Sequence, residues 1–320
     1  MMKKYPIKVS YVAKSRIWGG ENLCRIFGKE NGGENIGETW ELTVRDDEMS
    51  NIVNGEYAGM PLGEYIEGDK SVLGTKYDGE RFPLLIKFID AQDKLSVQVH
   101  PDDDYAAANE KDPGKTEMWY ILDAKEGAKI VYGLADGVSR DDFAKAVAEG
   151  KIDSAMGYTP VKKGETYFIP SGMLHAIGEG IIIAEIQQNS DLTYRVYDYD
   201  RRDSEGKTRE LHVEKSLAVV KPFTEDEVNA IRFEAKDSED NEETLAHCRY
   251  FRVKKLAIKG ERSLFASEES FASLLCISGE GKICHEGKNY SVKAGDSYFI
   301  PASMKEYTVD GELEVIISTL

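Results

Sequence analysis

A chain of 320 residues, 41% hydrophobic and 31% charged, is long enough for one elaborated domain or two and has the balance of a soluble globular protein. The formal net charge of -17 excludes a nucleic-acid surface, which needs a basic face, and means that any anionic small substrate requires positive charge gathered locally. No apolar run reaches the roughly 18 to 20 residues of a membrane span. The lysines of Met1–Val9 are followed by no apolar segment, so no secretory signal is expected. Cys24, Cys248, Cys276 and Cys284 have no C-x-x-C spacing and are expected as free thiols in a reducing, cytoplasmic setting.

In chain order, strand-like pieces at Ile7–Val12 and Glu38–Val44 surround a stretch from Gly19 to Gly37 whose glycines punctuate turns. Pro61–Gly68 and Asp102–Glu110 are predicted as short helices, the first with proline at its start and the second with acidic residues in its first turn. Arg81–Ile89 is a nearly continuous apolar strand interrupted by Lys87, either a snorkelling surface residue or a buried functional cation. Leu95–Asp103 alternates like a strand. Ser96, Gln98 and His100 then share one face, with Leu95, Val97 and Val99 on the other, and Gln98 and His100 stand where a metal could be held. Glu117 opens a second apolar run, Met118–Leu122, expected to pair alongside. Ser139–Gly150 is predicted as a helix with Ser139 as N-cap. From Gly164 to Ile186 the chain reads as short strands broken at Pro170–Gly172, the pattern of a β-sandwich or barrel. Two further helices are expected at Leu211–Val220 and Glu225–Ile231.

The segment Lys163–Pro170 recurs 131 residues later as Ala294–Pro301, each copy followed by a strand, Ile181–Ile186 and Leu313–Ile317. Two copies of one β unit account for the length. The expected division is a catalytic, metal-binding domain over residues 1–240 with helical insertions, and a second unit over 245–320, with the acidic Ser238–Glu243 as linker. The copies differ where chemistry would sit. Glu306 stands at the position of His175, Ser303 at that of Gly172, and nothing near Ala272 replaces Glu117, so only the first unit is expected to bind metal.

The spacing of Gly164, Pro170, Gly172 and His175 resembles the second motif of the cupin jelly-roll superfamily. More narrowly, the blocks Val97–Asp103, Gly114–Tyr120 and Asn189–Asp198, in that order, resemble type I phosphomannose isomerases in their short bacterial form, from about Ile17 to the C terminus. The resemblance implies a mainly β fold of two cupin-type jelly-roll barrel or sandwich units with a few added helices. It implies one zinc per chain, with Gln98, His100, Glu117 and His175 as ligands, a set whose imidazoles and carboxylate suit zinc while the neutral amide is weaker. It also implies a pocket lined by Arg195, Lys115, Asp191 and Lys87, and interconversion of mannose 6-phosphate and fructose 6-phosphate.

Such an isomerisation moves a proton between adjacent carbons through an enediol-like intermediate, and negative charge develops on oxygen. Lys115, two residues from Glu117, could act as base or proton shuttle if burial strips its proton. Arg195 stays charged and is assigned to anion stabilisation or phosphate binding. Asp191 could orient Arg195 or transfer a proton. The alternative is a non-catalytic sugar-phosphate-binding or sensor cupin; a cupin iron oxygenase would sooner use H-x-H than Gln98-Val-His100. Gly114-Lys-Thr116 resembles the end of a P-loop, but Asn109 stands where that loop needs glycine. His212, His247 and His285 are read as structural or exposed, Arg201–Asp203 as a solvated charged loop within reach of a phosphate, and Trp119, Tyr194, Tyr197 and Tyr199 as core or sugar-stacking aromatics. The expected partner is a small sugar phosphate, with neither nucleic acid nor membrane; monomer and homodimer are equally compatible with the sequence.

Overall fold

The computed structural model describes residues 2–33, 35–46, 48–202, 205–233 and 243–320, and most of the chain's regular structure is β. Two sheets build the first unit. One runs, in spatial order, Val12–Lys14, Glu38–Leu42, Leu84–Ala91, Ile181–Gln188, Glu117–Ala124 and Thr166–Ile169; the other runs Tyr194–Tyr197, Val97–Val99, His175–Ala176, Lys129–Leu134 and Met156–Pro160. They face each other as a sandwich, because side chains of both line one cavity between them.

The alternation over Val97–Val99 puts Gln98 toward the facing sheet and buries Val97 and Val99 on the other side against Phe143, Ile152 and Val219. Leu95 departs from the expected pattern. It precedes the strand, its N–H donates to the Ile177 carbonyl, and its side chain lines the cavity. The Met118–Leu122 run is also placed differently from expectation: Glu117–Ala124 lies in the opposite sheet, paired with Ile181–Gln188 and Thr166–Ile169, and reaches Gln98 and His100 across the sandwich.

The helices fall close to their predicted bounds. Asp102 caps Asp103–Asn109 by accepting from the Tyr105 N–H, and Ser139 with Asp142 forms a capping box before Arg140–Ala148. A second capping box, Thr224 with Glu227, starts Glu225–Arg232. A short helix at Asn22–Phe27, inside the glycine-rich stretch, has no periodic signal long enough to read. Of the acidic linker, residues 238–242 lie outside the described residues, and Glu243 already begins a strand.

The second unit supplies six strands of a seven-stranded sheet built on three long ones, Arg252–Ala266, Ala272–His285 and Lys305–Thr319, around a core that includes Leu274, Cys276, Tyr298 and Val315. The repeat holds at the level of register: Glu117 pairs with Ile169 as Ala272 pairs with Ile300. Ala272 is thus the residue that stands for Glu117, and Glu306, for His175, is exposed. Gly172 and Ser303 both adopt positive φ, 89° and 62°, so the turn survives the loss of glycine.

The units are sewn together. Ile7–Val9 hydrogen-bonds into the second unit's sheet beside Ser297–Ile300. Phe299 is fully buried and packs its ring against Tyr65 and Phe82 of the first unit and Phe271 of the second. One continuous core spans both. Phe299→Ala is therefore expected to cost about 3–5 kcal/mol, with both units still unfolding in one transition; urea titration followed by circular dichroism and tryptophan fluorescence checks whether the two probes coincide.

Candidate metal centre and active-site cavity

A cavity of about 450 Å³ opens between the two sheets of the first unit, its lining including Glu38, Lys87, Gln98, Lys115, Trp119, Glu185, Asp191 and Arg195. Cross-strand register explains the grouping. His175, Gln98 and Arg195 are direct neighbours across three strands of one sheet, so their side chains leave it on one face. In the other sheet Lys87 neighbours Glu185, Glu185 neighbours Trp119, and Gln187 neighbours Glu117.

His100, Glu117 and His175 converge beside the cavity, against its lining residues Gln98 and Lys115, each at most 1% exposed, with their candidate ligand atoms within 4.8 Å of one another. Each oxygen of Glu117 lies 3.5 Å from an imidazole Nε2, Oε2 from His100 and Oε1 from His175. Neither Glu117 oxygen and neither ring nitrogen of His100 has a hydrogen-bond partner of proper geometry, although all are buried. Buried polar atoms left unpaired are costly, and four on two converging side chains fit a cation held among them. His175 Nδ1 lies 2.8 Å from the Met173 carbonyl, so it carries the proton and leaves Nε2 with a free lone pair toward Glu117. Gln98 lies alongside, its amide nitrogen 3.3 Å from His175 Nε2; turning the amide over presents Oε1 there instead. The donor set is one carboxylate, two neutral imidazoles and one amide oxygen, which fits zinc.

The electrostatics agree. Burial, with the nearby Lys115 charge, lowers the His100 pKa to about 3, and burial lowers that of His175, so both rings are neutral near pH 7. Burial would raise the Glu117 carboxyl, but its surroundings, the Lys115 charge foremost, outweigh burial and hold it well below the usual range. The Lys115 ammonium sits 2.9 Å from Glu117 Oε2, as their spacing of two predicts.

Lys87 is buried, which decides between its two sequence readings on burial. Its ammonium lies 3.5 Å from Glu38 and 3.4 Å from Glu185. Burial alone would discharge it; the two carboxylates reverse that and raise its pKa, so it stays an ammonium. Glu38 is pulled down to about 2: burial opposes its charge, but Lys87 and Arg16 outweigh burial, and Trp40 and Arg16 donate to its oxygens. Glu185 goes the other way, raised by burial and by repulsion from Glu117, and Trp119 Nε1 donates to it at 2.9 Å. Trp119 thus belongs to the cavity wall, edge-on to His175.

Arg195 Nε donates to Ser96 Oγ at 3.3 Å and its Nη1 to the Glu210 carbonyl at 2.8 Å. Those contacts orient it; no hydrogen bond joins it to Asp191, which sits exposed at the cavity mouth. Arg201 is tied rather than solvated, its guanidinium 2.6 Å from Asp198. His212 Nδ1 accepts from the Arg195 N–H and His285 is buried, both structural as expected. Arg16, Glu38, Glu185 and Arg209 line the cavity and were not singled out by sequence. Glu185 had one available signal, a lone carboxylate in the apolar run Ile181–Ile186.

Fold and site together define a two-unit cupin protein with a metal-competent histidine and carboxylate cluster beside a cationic cavity. Residues 7–132 match the type I phosphomannose isomerase catalytic domain, and residues 241–320 the cupin domain of mannose-6-phosphate isomerase. The chain is 39% identical over 320 residues to mannose-6-phosphate isomerase ManA of Bacillus subtilis, covering 100% of both chains. It is 36% identical over 313 residues to the mannose-6-phosphate isomerase of Streptococcus mutans, covering 98% of each. The crystal structure of mannose 6-phosphate isomerase from Bacillus subtilis is similar at a TM-score of 0.88 and 37% identity, covering 99% of this chain and 100% of that one. The chain belongs to the type I phosphomannose isomerase family.

Because Glu38 titrates near 2 in the folded chain against 4.5 when free, its contribution to stability is complete above pH 4.5 and is lost as pH falls toward 2. Glu38→Gln is expected to lower stability near neutral pH and to remove about 2–3 kcal/mol of the acid dependence. Urea titrations at several pH values across that window check it; an unchanged slope would remove Glu38 as the cause.

Proposed function

We propose that this protein interconverts mannose 6-phosphate and fructose 6-phosphate with one zinc ion per chain, held by Gln98, His100, Glu117 and His175. The observation that carries the reading is the buried convergence of His100, Glu117 and His175, with the His100 nitrogens and the Glu117 oxygens lacking well-formed hydrogen bonds, beside a cavity lined by Lys87, Lys115 and Arg195. The names of relatives 36% and 39% identical over nearly the whole chain support it. Bound zinc would supply Lewis-acid stabilisation of negative charge developing on a substrate oxygen.

The chain's own residues do the rest. Isomerisation proceeds by proton transfer between adjacent carbons through an enediol-like intermediate, so the site needs a group that exchanges a proton and cations that stay charged. Lys87, held protonated by Glu38 and Glu185, is suited to stabilising an oxyanion and not to accepting a proton. Lys115 and Glu185 are the candidates for proton exchange: Lys115 touches Glu117, and Glu185 has its carboxyl pKa raised while Trp119 fixes its orientation. Arg195, with Arg209 beside it in the lining, offers the charge an incoming phosphate needs, and Asp191 stands at the mouth to meet a sugar hydroxyl.

Catalysis is assigned to residues 1–240, and 245–320 to a cupin that has exchanged the ligand set for Ala272 and Glu306. Four unbridged cysteines support a cytoplasmic setting, and among the described residues no helix is long and apolar enough to cross a membrane.

A coupled assay for fructose 6-phosphate formed from mannose 6-phosphate, run before and after chelation and after zinc is restored, tests the proposal. Activity should vanish and return; folded, zinc-loaded protein without activity would favour a sugar-phosphate-binding role. Arg195→Ala is expected to keep its zinc and lose at least about 100-fold in kcat/KM, whereas His175→Ala should lose the zinc, as elemental analysis of the purified variants would show.

A further inference from the structure

We infer that the second unit helps to position the active site through one hydrogen-bonded path, from Tyr250 by way of Asp103 and Gln188 to the segment that carries Lys115 and Glu117. The inference rests on the proposed zinc site and deepens it, naming Asp103 and Tyr250 as positioning residues.

Gly114, Lys115 and Thr116 precede the strand that begins at Glu117 and lie outside its paired register. Asp103 helps to hold them: its Oδ1 accepts from the Gly114 N–H at 3.0 Å and from Gln188 Nε2 at 3.1 Å. Gln188 in turn accepts from the Thr116 N–H through Oε1 at 2.8 Å, and its own N–H donates to the Thr116 carbonyl at 3.1 Å. The Lys115 N–H donates to the Pro101 carbonyl at 3.0 Å. Each residue from Gly114 to Thr116 is therefore pinned by its backbone, and the two functional side chains are carried by that pinned stretch. The fit is close: a Cβ on Gly114 would stand 2.5 Å from the Asp103 backbone and 2.9 Å from its Oδ1, so only glycine admits the approach.

The remaining oxygen of Asp103 is taken by the second unit. Tyr250 donates its hydroxyl to Asp103 Oδ2 at 2.8 Å, on a side chain mostly withdrawn from solvent. That bond fixes the rotation of the carboxylate and so the direction of the lone pairs offered to Gly114 and Gln188. A hydrogen bond to a charged acceptor is among the stronger ones, and residues that hold metal ligands in place commonly govern affinity and rate. Tyr250 is not among the residues that line the cavity, and the hydrogen bond that leads from it toward the site is the one to Asp103.

Tyr250→Phe removes the hydroxyl and little else. It is expected to lower kcat roughly 10-fold with KM nearly unchanged, and to speed zinc release to a chromophoric chelator by a similar factor. Asp103→Ala should do more, and the double variant no more than Asp103→Ala alone, because both act through one carboxylate. Asp103→Asn should recover much of the loss, since its amide oxygen still accepts from Gly114 and Gln188 and its NH2 can donate to Tyr250. Tyr120→Phe deletes a different bond between the units, from Lys255 to Tyr120 at 3.2 Å, and should leave zinc release unchanged. Wild-type kcat and zinc release in Tyr250→Phe would overturn the inference, as would effects that multiply fully in the double variant or appear equally in Tyr120→Phe. If Asp103→Ala does not fold, Tyr250→Phe and Asp103→Asn decide it. A wild-type chain that binds zinc but does not isomerise would overturn the assigned reaction, while the zinc-release comparison would still read the path.

Discussion

Glu117 is fully withdrawn from water, and nothing in its surroundings offers its oxygens a well-formed neutral hydrogen bond. A carboxylate in that position would cost several kcal/mol if left alone. Lys115 at 2.9 Å and two imidazoles at 3.5 Å meet it. Much of the first unit follows from keeping that group ionised and in place. One sheet supplies the imidazoles, His175 from a strand and His100 from just past the end of the neighbouring one, the facing sheet supplies the carboxylate, and the pinned stretch before it supplies the ammonium. The cluster is built across the sandwich, so the distance between the sheets sets its geometry.

Farther up the cavity the same economy of charge recurs with different partners. Lys87 sits almost midway between Glu38 and Glu185, but their other neighbours differ: Arg16 and Trp40 also serve Glu38, which becomes the stronger acid, while burial and repulsion from Glu117 leave Glu185 with the raised pKa. Different surroundings on the two sides of one lysine thereby hold one carboxyl group charged and leave the other with a raised pKa. The global charge of -17 makes the local reversal more telling. Arg16, Arg195, Arg209, Lys87 and Lys115 all line one cavity of a strongly acidic protein, where they outnumber the lining carboxylates of Glu38, Glu185 and Asp191.

What was legible in the sequence was what depends on local periodicity. Gln98 falls on a strand whose alternation needs no tertiary information, and His100 just beyond it continues the pattern; the helix caps at Ser139 and Asp102 are equally local. The repeat matched His175 to Glu306 by its spacing of 131 residues, and the sequence offered no replacement for Glu117 near Ala272; the strand register then places Ala272 as its counterpart. What stayed hidden depends on which sheet lies opposite which. Glu117 was expected beside Gln98 and instead faces it, because an apolar strand carries no mark of the sheet it joins. Glu185 and Arg209 belong to the cavity only through packing, and Lys87 was ambiguous until burial decided it.

The strand at Ile7–Val9 finds its partner at Ser297–Ile300, about 290 residues further along the chain. A pairing of that separation must wait until almost all of the intervening chain has been made and brought into place, and closing so long a loop slows folding. During synthesis the edge of the late sheet and the early strand would each remain an open template for other chains. Such a protein depends on its order of assembly, and its vulnerable period in the cell lies between translation of the first unit and arrival of the last strands.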